Sequence, residues 1–407
     1  MWNVKRKAGG AVLAQAVQAA VSLVLQVLVI RLLGIEEYGR FAILYGAVIL
    51  ATGMLTGLVG DALVVLDRRQ RSVRAGLEIV LGVAVAVLGI VAGLVAALSG
   101  FSPAYEAMLF AAVLVAFGVE EIVRRLLMAN MLFVKVAVAD LLSFAVVLAL
   151  VASFHFSGTL SLAVLFGGIA VGQCSAILAG WAMVPKEDRR LVRPRQAAWQ
   201  EVLRYGSWRG LQQLLRPSLF TIVRLAVLAA VGAGAVGLLE AARTYASPLL
   251  LVVGGLSSFL FVRFAGRKDA KTSDMVREAD RVVLYLVAAS VLMSGVALLL
   301  VPWASPLIFG LRVDPLAVVA WLAYGVSVAF VTPYGALGAV VGRQVGVFVI
   351  RLMDTVLAIL ATILIVVGEA SAAVVPFGLA LASLLGGLGL RWLVTSSSVN
   401  GSAQDFR

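Results

Sequence analysis

Among the side chains of this sequence, the arginines inside two apolar segments are the most able to bind an anionic group. Residues 209–231 read RGLQQLLRPSLFTIVRLAVLAAV, and Gln213, Arg216 and Arg224 fall on one helical face about 80° wide. The next apolar segment adds Arg243. Because a guanidinium group can bind two phosphate oxygens at once, these four side chains are predicted substrate ligands for an anionic group.

The depth of these arginines strengthens that interpretation. On a helix, Arg216 lies roughly 10 Å and Arg224 roughly 22 Å from the start of the segment, inside the thickness of a bilayer. An arginine at such depth costs about 2.5 to 3.5 kcal/mol unless it faces protein or water. No acid lies in 209–231 to pair the two arginines, which favours a functional role. Pro217 removes a backbone hydrogen bond and is a predicted hinge.

The first apolar segment carries a neutral counterpart of this face. Gln15, Gln18, Ser22 and Gln26 share one narrow helical face. The three glutamines are predicted either to contact substrate or to hydrogen-bond neighbouring helices, and the sequence leaves both alternatives open.

Acidic residues in apolar segments are predicted to form structural ion pairs or to couple transport to an ion. Glu240 lies three residues before Arg243 and within reach of Arg224, so it is a candidate counterion for both. Asp140 and Asp354 occupy corresponding places in the two halves of the chain, and Asp61 ends the second apolar segment. Asp61, Asp140 and Glu240 are the only acids that we expect to be available for binding a cation.

The elements that position these residues are membrane helices. Hydrophobic residues make up 62% of the 407 residues and the mean hydropathy is +1.06, well above the range of soluble domains. We therefore expect an all-α polytopic membrane protein of about twelve transmembrane helices. The predicted spans are 9–31, 38–66, 76–98, 104–129, 132–153, 159–184, 209–231, 235–262, 281–301, 314–341, 346–367 and 371–395.

The distribution of charge predicts the topology. Most of the 33 lysines and arginines fall in the even-numbered connections and at the two ends. By the positive-inside rule, both termini face the cytoplasm and the protein lies in the cytoplasmic (inner) membrane. The net charge of +12 then indicates that the basic residues interact with membrane lipids and not with nucleic acid.

A weak internal repeat divides the chain into halves. Gly34 and Gly39 recur as Gly232 and Gly237 at the same offset, as expected for matching corners between the first two helices of each half. The predicted domains are a six-helix lobe at 1–184, a cytoplasmic linker at 185–208, a second six-helix lobe at 209–395 and a cytoplasmic tail at 396–407.

Three stretches also carry a resemblance to a known family. RLLGIEEYGRFAI, RRLLMANMLFVKVAVADLL and PLIFGLRVDPLAVVAWLAYGV resemble the polysaccharide and O-antigen flippases, in the MATE-like superfamily of multidrug, oligosaccharidyl-lipid and polysaccharide exporters. The resemblance implies two six-helix bundles in a V around a central cavity. It also implies a polyprenyl-diphosphate-linked oligosaccharide as substrate and glycan polymerase or assembly proteins as possible partners.

Other classes of function remain as alternatives or are disfavoured. The sequence has no Walker phosphate loop, one cysteine (Cys174) and one histidine (His155), so we expect no enzyme, cofactor or metal site. The alternatives are a cation-coupled MATE-type multidrug exporter, which would need acids in its pathway, and a non-transporting membrane scaffold for glycan synthesis.

Overall fold

Long helices make up almost all of the computed structural model, which describes residues 2–67, 69–99, 103–189, 197–265 and 271–404. Short helical turns occur at Thr56–Gly60, Lys186–Asp188 and Ala372–Val374, and the described residues contain no strand. The helices are α1 Trp2–Leu33, α2 Ile35–Leu55, α3 Asp61–Val65, α4 Arg71–Leu98, α5 Ala104–Ala129, α6 Phe133–Phe156, α7 Leu162–Met183, α8 Trp199–Ala230, α9 Ala233–Ala265, α10 Thr272–Phe309, α11 Pro315–Val340, α12 Gln344–Val367 and α13 Val375–Gln404.

The predicted class, an all-α polytopic membrane protein, is confirmed. Within the described residues, 11 helical segments are long and apolar enough to cross a membrane. The predicted span 104–129 forms α5, a helix of 26 residues that is not among these segments. Its length suits a membrane helix, but it carries five charged side chains: Glu106, Glu120, Glu121, Arg124 and Arg125.

Several helices extend beyond the predicted spans. α8 begins at Trp199, inside the segment predicted as linker, and α10 continues to Phe309 where the prediction ended at residue 301. Hydropathy marks the part of a helix that lies in hydrocarbon, whereas the backbone hydrogen bonds continue into the polar region on either side.

The chain forms two compact units. Unit 1 comprises Met1–Glu37 and Phe41–Thr221, and unit 2 comprises Tyr38–Arg40 and Ile222–Arg407. The boundary falls inside α8, four residues after Pro217. Most of α8 therefore belongs to unit 1, although the sequence analysis assigned it to the second lobe. The division into two six-helix lobes at the predicted residues stays a prediction.

The glycines of the internal repeat have a backbone explanation. Gly34 precedes α2 with φ 85° and Gly232 precedes α9 with φ 107°, in a region that side-chain-bearing residues rarely adopt. In unit 2, a Cβ on Gly39 would overlap the carbonyl oxygen of Ala233 and lie 3.0 Å from the amide nitrogen of Gly237. The repeated spacing thus serves two corners and one close helix approach.

A second close approach positions the start of α8 in unit 1. The π turn Thr56–Gly60 follows α2, and a Cβ on Gly57 would lie 2.5 Å from the Cα of Gly210. Gly206 is equally close to the backbone of Leu58. Small residues let membrane helices approach closely, so these glycines bring α8 beside the π turn.

Candidate functional site

The predicted arginine face of α8 lies in two environments. Gln213 and Arg216 are exposed, whereas Arg224, two turns further on, is 5% exposed. Arg216 forms no hydrogen bond or ion pair with any residue that the structure describes. α8 remains helical through Pro217, and the hinge stays a prediction. Arg216 and Arg224 are therefore not equivalent, although the helical spacing groups them.

Unit 2 contains a buried arginine cluster formed by Arg224 of α8 with Glu240 and Arg243 of α9. Arg224 donates from Nε to Oε1 of Glu240 at 3.0 Å and from Nη2 to Oε2 at 3.2 Å. Arg243 donates from Nε to the same Oε2 at 2.6 Å. Glu240 is 2% exposed. The counterion absent from α8 is thus supplied by the following helix, and one carboxylate serves two guanidinium groups.

The arginine cluster keeps one positive charge in excess when all three groups are ionised. Its Arg243 side chain is 20% exposed, whereas the Arg224 side chain is 6% exposed. Arg243 is therefore the more exposed of the two guanidinium groups in the cluster.

Neutral hydrogen bonds hold the helix that carries this cluster. The Tyr38 and Thr244 hydroxyls lie 3.0 Å apart, and Trp321 of α11 donates from Nε1 to the carbonyl oxygen of Leu239 at 2.9 Å. Trp321 and Tyr324 meet edge to face with ring centroids 5.8 Å apart. α9 is thereby fixed against α11 directly beside Glu240, and the surroundings are largely apolar.

The glutamines of α1 differ among themselves. Gln15 and Gln18 are exposed, whereas Gln26 is half-buried and donates to the carbonyl oxygen of Ser22 at 3.2 Å. The Gln26 side chain therefore turns back on its own helix. A role for Gln15 and Gln18 in binding stays a prediction.

The acids identified from the sequence all have basic partners. In unit 1, Asp61 pairs with Arg209 at 2.9 Å and Asp140 pairs with Arg124 at 3.2 Å. In unit 2, Asp354 pairs with Arg351 at 3.3 Å. These distances describe structural ion pairs, and ion coupling at any of the acids stays a prediction.

A second buried charge cluster was not predicted from the sequence. The carboxylate cluster of unit 1 consists of Glu120, Glu121, Arg124 and Arg125 of α5 with Asp140 of α6. Glu121 accepts from Arg125 Nε at 2.7 Å and from the Thr56 hydroxyl at 2.8 Å. Glu120 is 8% exposed and forms no hydrogen bond or ion pair with a described residue.

Two acids that the sequence-based prediction did not name, Glu120 and Glu121, are thus buried in α5. Whether Asp61, Asp140 and Glu240 alone are available for a cation stays a prediction. The signal for the cluster was present in VEEIVRR, where each glutamate has an arginine four residues later on the same helical face. The pairing was overlooked because basic residues at the end of a predicted span also mark topology.

Comparisons with known proteins identify the fold. No protein-family model and no curated protein sequence matches the chain. Three solved structures show the similarity. An inward-facing MATE multidrug transporter of the MOP superfamily gives a TM-score of 0.78 at 14% identity, covering 96% of this chain and 98% of that chain. The lipid II flippase MurJ, inward closed, gives 0.77 at 12% identity, covering 94% and 86%. An outward-facing MATE transporter gives 0.65 at 12% identity, covering 98% and 95%.

Identities this low establish the fold and nothing finer. The predicted MATE-like helical fold is confirmed, and the chain is a multi-pass membrane protein. The resemblance to polysaccharide flippases within that superfamily stays a prediction.

Proposed function

We propose that this protein flips a polyprenyl-diphosphate-linked oligosaccharide across the cytoplasmic membrane by alternating access. Arg216 carries the proposal. It lies in a candidate membrane span, it is exposed, and it forms no hydrogen bond or ion pair with a described residue. An intramembrane arginine without an acid partner costs free energy. An anionic substrate that accepts hydrogen bonds from its N–H groups would offset that cost.

The arginine cluster supports the same class of substrate. Its excess charge is positive, and its most accessible member is Arg243. We propose that Arg216 and Gln213 of unit 1 bind the diphosphate directly, and that Arg243, taken by itself, is a contact for an anionic group in unit 2. The guanidinium of Arg224 is occupied by Glu240, so Arg224 acts as a positioning residue that holds the carboxylate beside Arg243.

The fold is compatible with this activity, since one protein that shares it is named a lipid II flippase. The same fold occurs in MATE multidrug transporters. A cation-coupled multidrug exporter is therefore the second candidate, and the carboxylate cluster of unit 1 favours it, because buried acids are what a cationic drug or coupling ion requires. The third alternative, a non-transporting membrane scaffold for glycan synthesis, would require neither charge cluster.

The test compares binding of one substrate by matched variants in nanodiscs. We expect Arg216→Lys to bind polyprenyl-diphosphate oligosaccharide at least about tenfold more weakly than the parent, a loss of about 1.4 kcal/mol. Lysine keeps the charge but loses the planar fork that matches phosphate oxygens. Arg277→Lys, on an arginine side chain that is 72% exposed, is the control.

Two further measurements separate the alternatives. Arg216→Gln alone should stop glycan export while leaving thermal unfolding nearly unchanged, because no described contact is lost. Unchanged binding in Arg216→Lys and normal export in Arg216→Gln would together overturn the proposal. Loss of transport in Glu120→Gln, with Arg216 dispensable, would favour the cation exporter.

A further inference from the structure

An apolar groove in unit 1 is lined by none of the residues of the carboxylate cluster. It has a volume of about 410 Å³ and runs along α5, with α4 on one side and α7 on the other. Val119, Ile122 and Leu126 of α5 form its floor, at helical spacing on one face. α5 packs against both α4 and α7, while the described residues show no extended packing between α4 and α7. The groove is the space left between those two helices.

The mouth of the groove is continuous with surface that faces lipid. Leu178 of α7 lines the groove and is 73% exposed, and Leu81 of α4 lines the opposite wall. Further along the same helices, Val83 and Val171 are more than half exposed. Both α4 and α7 are candidate membrane spans, so the medium at this mouth is the hydrocarbon of the bilayer.

One end of the groove is closed by polar bonds. At the start of α4, Arg74 donates to Glu78 at 3.3 Å and to the carbonyl oxygens of Glu187 and Asp188 at 2.8 and 2.5 Å. Asp188 also accepts from Asn130 at 2.6 Å. An acyl chain in the groove would therefore have its polar, headgroup end at this closure.

Two cations stand at the polar end without partners in the described part of the chain. Arg71 lies one turn before Arg74 on α4, and Lys186 lies two residues before Asp188. Both are exposed, and neither forms a hydrogen bond or ion pair with a described residue. Basic side chains at this level of a membrane helix attract anionic headgroups.

We propose that this groove is a binding site for an anionic phospholipid. One acyl chain lies between α4 and α7, and the phosphate-bearing headgroup lies near Arg71 and Lys186. The charge of these two residues selects the anionic headgroup, and the continuity of the groove with lipid-facing surface lets the chain enter from the bilayer. The site is independent of the proposed flippase activity.

Trp181 lines the groove and reports on it directly. Full-length protein is placed in zwitterionic nanodiscs that contain a few per cent of phospholipid with brominated acyl chains, which quench tryptophan on contact. The Trp181 signal is the difference between the parent and Trp181→Phe. We expect brominated phosphatidylglycerol to quench it with at least about fivefold higher apparent affinity than brominated phosphatidylcholine, the factor that one basic residue typically adds near an anionic surface.

Matched variants locate the effect. Leu81→Phe, which narrows the groove, should weaken quenching by either lipid, whereas Val83→Phe, on the exposed face of α4, should leave it unchanged. The pair Arg71→Gln and Lys186→Gln should remove the preference for phosphatidylglycerol, whereas Lys271→Gln with Arg277→Gln in unit 2 should retain it.

Three results would overturn the proposal. Equal quenching by the two brominated lipids would mean contact with bulk lipid only, and absence of any Trp181-dependent quenching would mean that the groove is not filled. Displacement of brominated phosphatidylglycerol by polyprenyl phosphate at lower concentration than by unlabelled phosphatidylglycerol would assign the groove to a prenyl chain instead.

Discussion

The two units each bury a charge cluster, and the clusters have opposite excess charge when all of their groups are ionised. The arginine cluster of unit 2 sets two guanidinium groups against one carboxylate, Glu240. The carboxylate cluster of unit 1 sets three carboxylates against two guanidinium groups. Within its own unit, each cluster lies on two helices that are consecutive in the chain, α8 with α9 and α5 with α6. With all groups ionised, each unit therefore carries an excess of one sign.

The difference matters because an excess of guanidinium groups and an excess of carboxylates respond differently to burial. A guanidinium group keeps its proton in proteins, so an excess arginine must find an anion or pay the cost of burial. A carboxylate can take up a proton and become neutral. The arginine cluster is thus suited to holding an anionic ligand, and the carboxylate cluster to exchanging a proton or cation. The following changes separate these two behaviours.

The largest effect is expected for Glu240→Gln. This variant leaves the buried Arg224 without its carboxylate partner, and removing one partner of a buried ion pair costs about 3 kcal/mol or more. The measurement is the free energy of unfolding in mixed detergent. Asp274→Asn, which breaks an exposed pair with Arg277, is the control and should cost less than about 1 kcal/mol. A cost for Glu240→Gln as small as the control's would show that the arginine cluster is not held by this carboxylate.

The sequence revealed one of these clusters and missed the other for physical reasons. Arg224 stands out because nothing charged lies near it in α8, so its depth in the membrane demands an explanation. Glu121 and Arg125 lie four residues apart on one helix and neutralise each other. Their segment therefore resembles the polar end of a membrane span. The sequence also indicated Glu240 of the following helix as a counterion for Arg224, and the structure contains that pair. Helical spacing groups Arg216 with Arg224 and could not show that Arg216 meets no acid among the described residues.

A smaller effect that depends on pH is expected for Arg124→Gln in unit 1. The change deprives Asp140 of its partner at 3.2 Å. At pH 8 we expect a cost of about 2 kcal/mol in the free energy of unfolding. At pH 5 the cost should be smaller, because the folded variant binds a proton that the unfolded chain at that pH does not fully bind, and stability then rises as pH falls.

Arg224→Gln is the matching change in the other unit and should show no such recovery. It leaves Glu240 paired with Arg243 at 2.6 Å, so no carboxylate is left without a partner. Parallel pH dependences for the two variants would contradict the distinction between an excess of arginine and an excess of carboxylate.

The smallest expected difference concerns one threonine hydroxyl in each unit. Thr56 donates to the Glu121 carboxylate at 2.8 Å, whereas the Thr244 hydroxyl lies 3.0 Å from the neutral Tyr38 hydroxyl. Hydrogen bonds to a charged group are stronger than neutral ones, and neutral bonds between membrane helices are worth about 0.6 kcal/mol on average. Thr→Val removes the hydroxyl with little change in shape, so Thr56→Val should cost about 1.5 kcal/mol and Thr244→Val about 0.6 kcal/mol in the free energy of unfolding. Equal costs for the two variants would contradict the prediction that the Glu121 carboxylate is the stronger hydrogen-bond acceptor.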